Sequence, residues 1–242
     1  MGFFKKFRDA QRPYCTAIVA AAGSSSRMGE NTNKLLLPLD GIPVLARTLL
    51  ALNAAQSIDE IVIAAREEDI LPFSDLCRTY GISKPVKVVR GGENREESVL
   101  RAALEAGEQT QLLAVQDGAR PLVTPELIDA VTAKAAKCNA AAPAIPVKDT
   151  IKVARDGEIV KTVDRSRLAA VQTPQVFEAS LLKAALQALL QAGETATDDC
   201  GAVEKLGKIV YLVDGDEENI KITTPLDLTV AEAIFGKRQE HA

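Results

Sequence analysis

The chain lacks both of the familiar sequence fingerprints of nucleotide-binding loops. It contains neither Gly-x-Gly-x-x-Gly, which disfavours a dehydrogenase, nor Gly-x-x-x-x-Gly-Lys-Ser/Thr, the phosphate-binding P-loop. Cysteine is also sparse, and no two cysteines form a C-x-x-C pair, so neither a zinc site nor a disulfide framework is indicated. A reducing compartment is the simplest setting, and we expect a cytoplasmic protein. The cysteines are Cys15, Cys77, Cys138 and Cys200.

The chain also lacks an excess of positive charge and any long apolar run. A net charge of −4 argues against a general nucleic-acid binder, because affinity for a phosphate backbone depends on clustered Lys and Arg. No apolar run is long enough to span a bilayer, and the first residues lack the apolar stretch of a signal peptide. Residues 3–12 mix phenylalanines with cations and could form a membrane-surface helix, although a frayed terminus is the simpler interpretation. We therefore expect neither nucleic acid nor a membrane as a partner.

The most informative stretch that is present runs over residues 16–29, TAIVAAAGSSSRMG, with Lys34 following five residues later. A short apolar run ends at Gly23 and gives way to serines, Arg27 and a second glycine, which predicts a buried strand opening into a phosphate-sized loop. Gly and Ser let backbone N–H groups approach an anion, while Arg27 and Lys34 add full positive charge. A polar surface turn with two solvated cations is the alternative at this point.

The rest of the chain alternates short apolar runs with helical stretches. The alternation, with continuous apolar strands, predicts a doubly wound, mostly parallel α/β sheet in which ligands bind beyond the carboxyl ends of the strands. We place a single domain at 16–236, between an N-terminal extension (1–15) and a tail (237–242). Strands are predicted at 16–22, 60–65, 86–90, 112–116 and 140–147, with helices at 44–55, 67–80, 95–106 and 125–137. Later segments predict helices at 178–191, 197–206 and 225–235 and extended chain at 209–213 and 219–222.

A β-rich segment at 148–163 interrupts this alternation. Asp156-Gly157 lies between two short runs, as a hairpin turn would. Because a lone hairpin is marginally stable, it must pack on something. We interpret residues 148–164 as an arm that packs either on a second subunit or on its own domain.

Three further motifs carry candidate ligand-binding residues. The glycines of RGGENREES, residues 90–98, permit close approach of a ligand whose base edge Ser98 could read, although ordinary strand-to-helix turns also use glycine. In QDGARP, Asp117 and Arg120 could hold a hydroxyl or metal and a phosphate, with a surface ion pair as the alternative. Arg165 suits bidentate phosphate recognition, whereas Lys221, in an apolar extended segment, must face either solvent or a ligand.

The order of these motifs resembles the 2-C-methyl-D-erythritol 4-phosphate cytidylyltransferase family, which has a Rossmann-like nucleotidyltransferase fold. The match runs from about residue 16 to residue 233. Sugar-nucleotide pyrophosphorylases share the first loop, but several motifs in order are far more specific. The chain departs from the pattern at Gln116 and Gly118, where the family often has His and Ala, and at Asn33 and Leu35, where Pro and Gln are common. The matching motifs are AAG-x-x-x-RM, Lys34 with PLDG-x-P, GG-x-x-R-x-x-S, DGARP, P-V-x-D-T, TVDR, TPQ, TDD and NIKIT.

The resemblance implies transfer of CMP from CTP to 2-C-methyl-D-erythritol 4-phosphate in non-mevalonate isoprenoid biosynthesis, giving 4-diphosphocytidyl-2-C-methyl-D-erythritol and diphosphate. It implies that Arg27 and Lys34 stabilise the triphosphate in the transition state and that Arg165 and Lys221 position the attacking phosphate. Mg²⁺ would be held mainly by the CTP phosphates. The CTP site would comprise Ala21, Ala22, Gly23, Gly91, Gly92, Glu93, Ser98 and Asp117, and the acceptor site Arg120, Thr150, Thr173 and Thr197.

In the family the arm reaches across a homodimer, so Thr150 and Arg165 would serve the neighbour's site. Two alternatives stay open: a cytidylyltransferase for another polyol phosphate, such as ribitol 5-phosphate, and a non-catalytic nucleotide-binding regulator. Four cations in separate motifs speak against the regulator, since binding alone would not require them all. The lone histidine, His241, lies in the tail, which is no objection because a phosphate nucleophile needs no general base at neutral pH.

Overall fold

The computed structural model describes residues 12–23 and 33–240. The predicted candidate Arg27 lies outside the described residues, as does His241. The strands of the central sheet are β1 (Cys15–Ala21), β4 (Glu60–Ala65), β5 (Val86–Arg90), β6 (Leu112–Asp117), β7 (Ala140–Pro146), β10 (Ala169–Val171), β11 (Gln175–Glu178) and β12 (Tyr211–Asp214). Two separate hairpins are formed by β2 (Pro38–Leu39) with β3 (Ile42–Pro43) and by β8 (Lys152–Arg155) with β9 (Glu158–Thr162).

Helices cover the sheet, and most begin and end close to the predicted positions. Asn94 caps the third helix with a side-chain oxygen that accepts a hydrogen bond from Glu97 N at 2.8 Å, and Thr124 caps the fourth in the same way. The last helix ends five residues beyond the predicted 225–235 and so takes in part of the predicted tail. The helices are α1 (Val44–Ala54), α2 (Ile70–Thr79), α3 (Arg95–Leu104), α4 (Pro125–Cys138), α5 (Ala179–Gln191), α6 (Asp199–Lys205) and α7 (Pro225–Glu240).

The eight-stranded sheet runs in the order β10-β7-β11-β6-β1-β4-β5, with β12 also paired to β7. Strand β1 lies in the interior of the sheet, parallel to its neighbours β4 and β6, and β4 is parallel to β5. Buried side chains form one cluster on each face, the first including Leu49 and Phe73 and the second Val99 and Leu186. The sheet is therefore covered on both sides, which confirms the predicted doubly wound, mostly parallel α/β fold.

Register brings the candidate loops to one edge of the sheet. Ala20 lies opposite Asp117 in the β1–β6 pair, and Ala21 lies opposite Ala65 in the β1–β4 pair. The chain segments that follow β1, β5 and β6 consequently leave the sheet side by side. This is the edge at which ligands bind in such folds.

Three parts of the sheet differ from the sequence prediction. The edge strand β10 was not predicted, and it pairs antiparallel with β7. Strand β11 was not predicted, and it inserts between β6 and β7, antiparallel to both. The segment 219–222, predicted as extended chain, forms no strand; instead Asn219 N donates to Asp216 O, and Ile222 N donates to Ala119 O at 2.8 Å. A turn and one long-range hydrogen bond thus replace the expected extended pairing.

The predicted hairpin is present as β8 and β9. Asp156 and Gly157 occupy its turn with φ of 52° and 85°, the left-handed conformation that a tight hairpin turn needs. Its apolar side chains Val153, Ile159 and Val160 are all exposed to solvent. Within the part of the chain that the structure describes, no helix combines the length and apolar character that crossing a membrane requires.

Candidate active site

Two adjoining cavities open at the carboxyl edge of the parallel strands. The larger cavity has a volume of about 380 Å³ and the smaller about 220 Å³. Arg95, Asp117 and Lys221 line both, so the two cavities meet at these side chains. Of the other residues predicted for nucleotide or triphosphate contact, those that line the larger cavity are Ala21, Ala22, Gly23, Lys34, Gly92, Glu93 and Ser98.

The smaller cavity collects residues that the resemblance assigns to the acceptor. Arg120, Thr173 and Thr197 line it, although they come from three distant parts of the chain. Thr173 is held in place because its hydroxyl oxygen accepts a hydrogen bond from Asp117 N at 3.1 Å. Arg120 donates to Asn219 O at 2.6 Å, which links the smaller cavity to the segment that carries Lys221.

Gly91, also predicted to contact CTP, does not line the larger cavity but packs against two residues that do, Ala22 and Ser98. A Cβ placed on Gly91 would lie 2.7 Å from Ala22 Cβ and 2.9 Å from Ser98 Oγ, so this position requires glycine. The Ser98 hydroxyl donates to Asn94 O and accepts from Gly92 N at 2.9 Å. Ser98 therefore holds the glycine loop against the start of α3 as well as lining the cavity.

Asp117 is the electrostatic centre of the junction. Its carboxylate lies 2.9 Å from Lys221 Nζ, 3.4 Å from Arg120 Nε and 4.0 Å from Arg95 Nη2. Burial opposes its ionisation, but these cations outweigh burial and hold the pKa of Asp117 below its ordinary value. Burial lowers the pKa of Arg120, an effect that Asp117 partly offsets. At the junction, three cations thus surround the carboxylate of Asp117.

Sequence reasoning gave no role to Arg95 or Asp199. Asp199 is fully buried, and its Oδ2 accepts from Arg95 Nη2 at 2.7 Å. Burial disfavours the charged form of Arg95, but the neighbouring carboxylate of Asp199 outweighs burial and raises the pKa of Arg95 above its ordinary value. Arg95 is the arginine of the GG-x-x-R motif and Asp199 the last residue of TDD, so these two motifs were the sequence features that could have indicated a role for them.

Of the remaining predicted site residues, Lys34 lies beside the larger cavity, whereas Thr150 and Arg165 lie at the arm. Lys34 Nζ donates to Ile222 O at 2.9 Å, which brings it against the segment of Lys221. Thr150 and Arg165 are exposed at the base of the arm and line neither cavity, and Arg165 donates to Lys148 O at 2.6 Å. The predicted cation Arg27 is outside the described residues.

The side chains that could act as metal ligands indicate how a metal ion could bind at this site. Among residues 12–23 and 33–240, no group of three His, Cys, Asp or Glu side chains is arranged to hold a metal ion. The carboxylate shared by the two cavities is that of Asp117. These donors fit an ion carried by a ligand's phosphates, because Mg²⁺ commonly binds through substrate phosphates with one or two carboxylates.

Comparisons with known proteins agree on one family. The family model for 2-C-methyl-D-erythritol 4-phosphate cytidylyltransferase matches residues 15–237. A protein of that name from Pelotomaculum thermopropionicum is 46% identical over 226 residues, covering 92% of this chain and 94% of its own. One from Bacillus cytotoxicus is 42% identical over 220 residues, covering 91% and 97%.

Solved structures give the same result. The 4-diphosphocytidyl-2C-methyl-D-erythritol synthase of Anaerococcus prevotii superposes with a TM-score of 0.83 at 29% identity, covering 93% of this chain and 96% of its own. The 2-C-methyl-D-erythritol 4-phosphate cytidylyltransferase of Thermus thermophilus gives a TM-score of 0.74 at 30% identity, covering 91% and 98%.

Proposed function

Because this chain belongs to the 2-C-methyl-D-erythritol 4-phosphate cytidylyltransferase family, we propose that its larger cavity receives CTP and its smaller cavity receives 2-C-methyl-D-erythritol 4-phosphate. The enzyme transfers CMP to the acceptor and releases diphosphate, a step of isoprenoid biosynthesis. The observation that carries this assignment of the cavities is their meeting at Asp117 and Lys221, where two phosphate-bearing substrates can be brought together.

In the reaction, a phosphate oxygen of the acceptor attacks the α-phosphorus of CTP. The new P–O bond forms as the bond from the α-phosphorus to the bridging oxygen breaks, and the electron pair leaves with diphosphate. No proton needs to be removed from the phosphate, so the work of the protein is positioning and charge stabilisation. Arg27 and Lys34 serve the triphosphate, and Lys221 with Arg165 holds the attacking phosphate.

Asp117 and its neighbours organise the junction. As an ionised acceptor of hydrogen bonds, Asp117 can hold a substrate hydroxyl while fixing the amine of Lys221 at 2.9 Å. Arg120, which lines only the smaller cavity, provides a second cation for the acceptor. The start of α3 faces the larger cavity and adds the positive end of a helix dipole.

Mg²⁺ is the proposed cofactor, held mainly by the CTP phosphates, with Asp117 as the carboxylate within reach of both cavities. When bound, the ion neutralises charge on phosphate oxygens. All four cysteines are free thiols, in keeping with the proposed location in the cytoplasm.

We further propose a homodimer in which the arm, residues 148–164, supplies Thr150 and Arg165 to the partner's site. Exposed apolar side chains along the arm support this proposal. Mixing subunits tests it. If Arg165 acts across the interface, an Arg165→Ala chain mixed and reassembled with a Lys34→Ala chain of strongly reduced activity regains activity, up to about a quarter of the wild-type sites in a symmetric dimer. No recovery in heterodimers whose formation has been verified would contradict the exchange.

The acceptor is tested by measuring diphosphate release from CTP with a panel of polyol phosphates. We expect turnover with 2-C-methyl-D-erythritol 4-phosphate. Turnover with ribitol 5-phosphate alone would overturn the acceptor assignment, and CTP binding without turnover of any acceptor would favour a non-catalytic regulator.

A further inference from the structure

The chain segment that carries Lys34 is fixed by its neighbour Asn33. The Asn33 side-chain oxygen accepts a hydrogen bond from Leu35 N at 3.1 Å, so the amide spans the backbone of Lys34. Asn33 O also accepts from Leu36 N at 3.0 Å. Leu35 itself is buried and accepts from Leu45 N at 2.9 Å, which fixes the other side of Lys34.

Asn33 is in turn tied to a buried carboxylate. Its side-chain nitrogen donates to Asp69 Oδ1 at 2.9 Å, and Asp69 Oδ2 accepts from Arg66 Nε at 2.7 Å. Asp69 is only 5% exposed and lies at the start of α2, so its position is set by the packed core. Both carboxylate oxygens are occupied, and the hydrogen-bonded chain runs from Arg66 through Asp69 to Asn33.

Asn33, Asp69 and Arg66 line neither the larger nor the smaller cavity. Their hydrogen bonds run to one another and to the backbone beside Lys34, so their arrangement bears on the position of Lys34. Lys34 is a flexible side chain whose amine must meet charge that develops on the triphosphate. A displacement of about 1 Å at such a contact can cost about 100-fold in rate.

We propose that Asn33 and Asp69 are positioning residues that hold the backbone of Lys34 for its contact with the transition state. The inference rests on the proposed cytidylyltransferase activity. It predicts that loss of the Asn33–Asp69 hydrogen bond lowers kcat while leaving the KM for CTP nearly unchanged, because a contact made mainly in the transition state is weakened.

The first test is Asn33→Ala in the full chain, assayed by diphosphate release. We expect kcat to fall about 10- to 100-fold. Asn53→Ala is the matched control, since Asn53 Oδ1 accepts similar backbone hydrogen bonds from Ser83 N at 3.0 Å and Lys84 N at 3.1 Å but lines neither cavity. Thermal unfolding of both variants confirms that the assayed protein is folded.

Two further measurements separate positioning from general stability. In a Lys34→Ala background, Asn33→Ala should cause little additional loss of kcat, because Asn33 acts through Lys34. Asn33→Asp alone places two carboxylates together and should lower kcat, whereas the double variant Asn33→Asp with Asp69→Asn restores a carboxylate–amide hydrogen bond and should recover activity. The double variant also tests the proposal if Asn33→Ala does not fold.

A wild-type protein that releases no diphosphate with any acceptor contradicts the proposed function. An active wild type in which Asn33→Ala retains the kcat of Asn53→Ala contradicts this inference alone. Full additivity of Asn33→Ala with Lys34→Ala, or no recovery in the exchanged pair, would also overturn it.

Discussion

Replacing Gly91 by alanine should damage the larger cavity through steric overlap. The new Cβ would lie 2.7 Å from Ala22 Cβ and 2.9 Å from Ser98 Oγ, whereas carbon atoms in contact prefer about 3.5–4.0 Å. The wall must therefore move by about 1 Å, because neither neighbour is the end of a long flexible side chain. Alanine keeps the backbone N–H that donates to Ala65 O at 2.8 Å, so no hydrogen bond is lost directly.

The magnitude follows from the cost of overpacking, about 1–3 kcal/mol. For a chain of this size, each kcal/mol lowers Tm by about 2–4 °C. If displacement of Ala22 transfers about 1.4 kcal/mol of this strain to the nucleotide site, CTP affinity falls about tenfold. Differential scanning calorimetry measures the first effect, and isothermal titration with CTP measures the second.

Gly236→Ala is the matched control for the Gly91 variant. Gly236 is exposed in α7, and apart from its chain neighbours and the backbone of its own helix no heavy atom of the described residues lies within 4 Å of an added Cβ. The substitution should leave CTP binding unchanged and raise stability by up to about 1 kcal/mol, because alanine favours a helix interior. A Gly91→Ala protein with wild-type Tm and wild-type CTP affinity would refute the steric argument.

Two further substitutions probe the junction and its support. Asp117→Asn removes the carboxylate from the nearly buried Arg120, while Lys221 stays partly exposed and Arg95 keeps Asp199, and should lower the free energy of unfolding by about 1–3 kcal/mol at neutral pH. Because the pKa of Asp117 is lowered in the folded chain, this stability difference should be complete above the unfolded pKa of about 3.9 and decrease as pH falls below it. Urea denaturation across pH measures this, and a pH-independent difference would contradict the ionised state. Arg238→Met removes hydrogen bonds to Leu122 O, Asp216 and Glu218 and should cost about 1–2 kcal/mol after allowance for its partial exposure. The control is Arg78→Met, which removes an exposed ion pair with Asp75 and should change the free energy of unfolding by no more than about 0.5 kcal/mol. Equal losses of stability in the two variants would show that the hydrogen bonds of Arg238 contribute no more than an exposed ion pair.

Local sequence patterns predicted most strands and helices of the α/β domain, and the hairpin of the arm. Strands β4 and β5 occupy the predicted ranges, because short runs rich in Val and Ile between turn segments favour a strand. The arm hairpin was also predicted from Asp156-Gly157, since this turn chemistry acts locally. Its packing partner remains a prediction, because apolar side chains on an exposed hairpin do not identify what covers them.

Long-range pairing was less accessible to prediction. Strand β11 is a short run that follows directly on a proline, and its place between β6 and β7 depends on the assembled sheet. The sequence also left open whether the Lys221 side chain faces solvent or a ligand, because alternation of side chains along an extended segment is compatible with both. The hydrogen bond from Ile222 N to Ala119 O fixes that segment against the site and brings the Lys221 amine to Asp117.

The sequence by itself determined the α/β class, the order of the motifs and the family, because these depend on local periodicity and on residue types in a fixed order. Only the tertiary structure decided how the motifs join. Parallel strands bring Ala22, Gly91 and Asp117 to one edge, and long-range hydrogen bonds add Lys34 and the segment of Lys221. The partnership of Arg95 with Asp199 likewise required the folded chain, since a buried charge acquires its partner only when distant segments pack together.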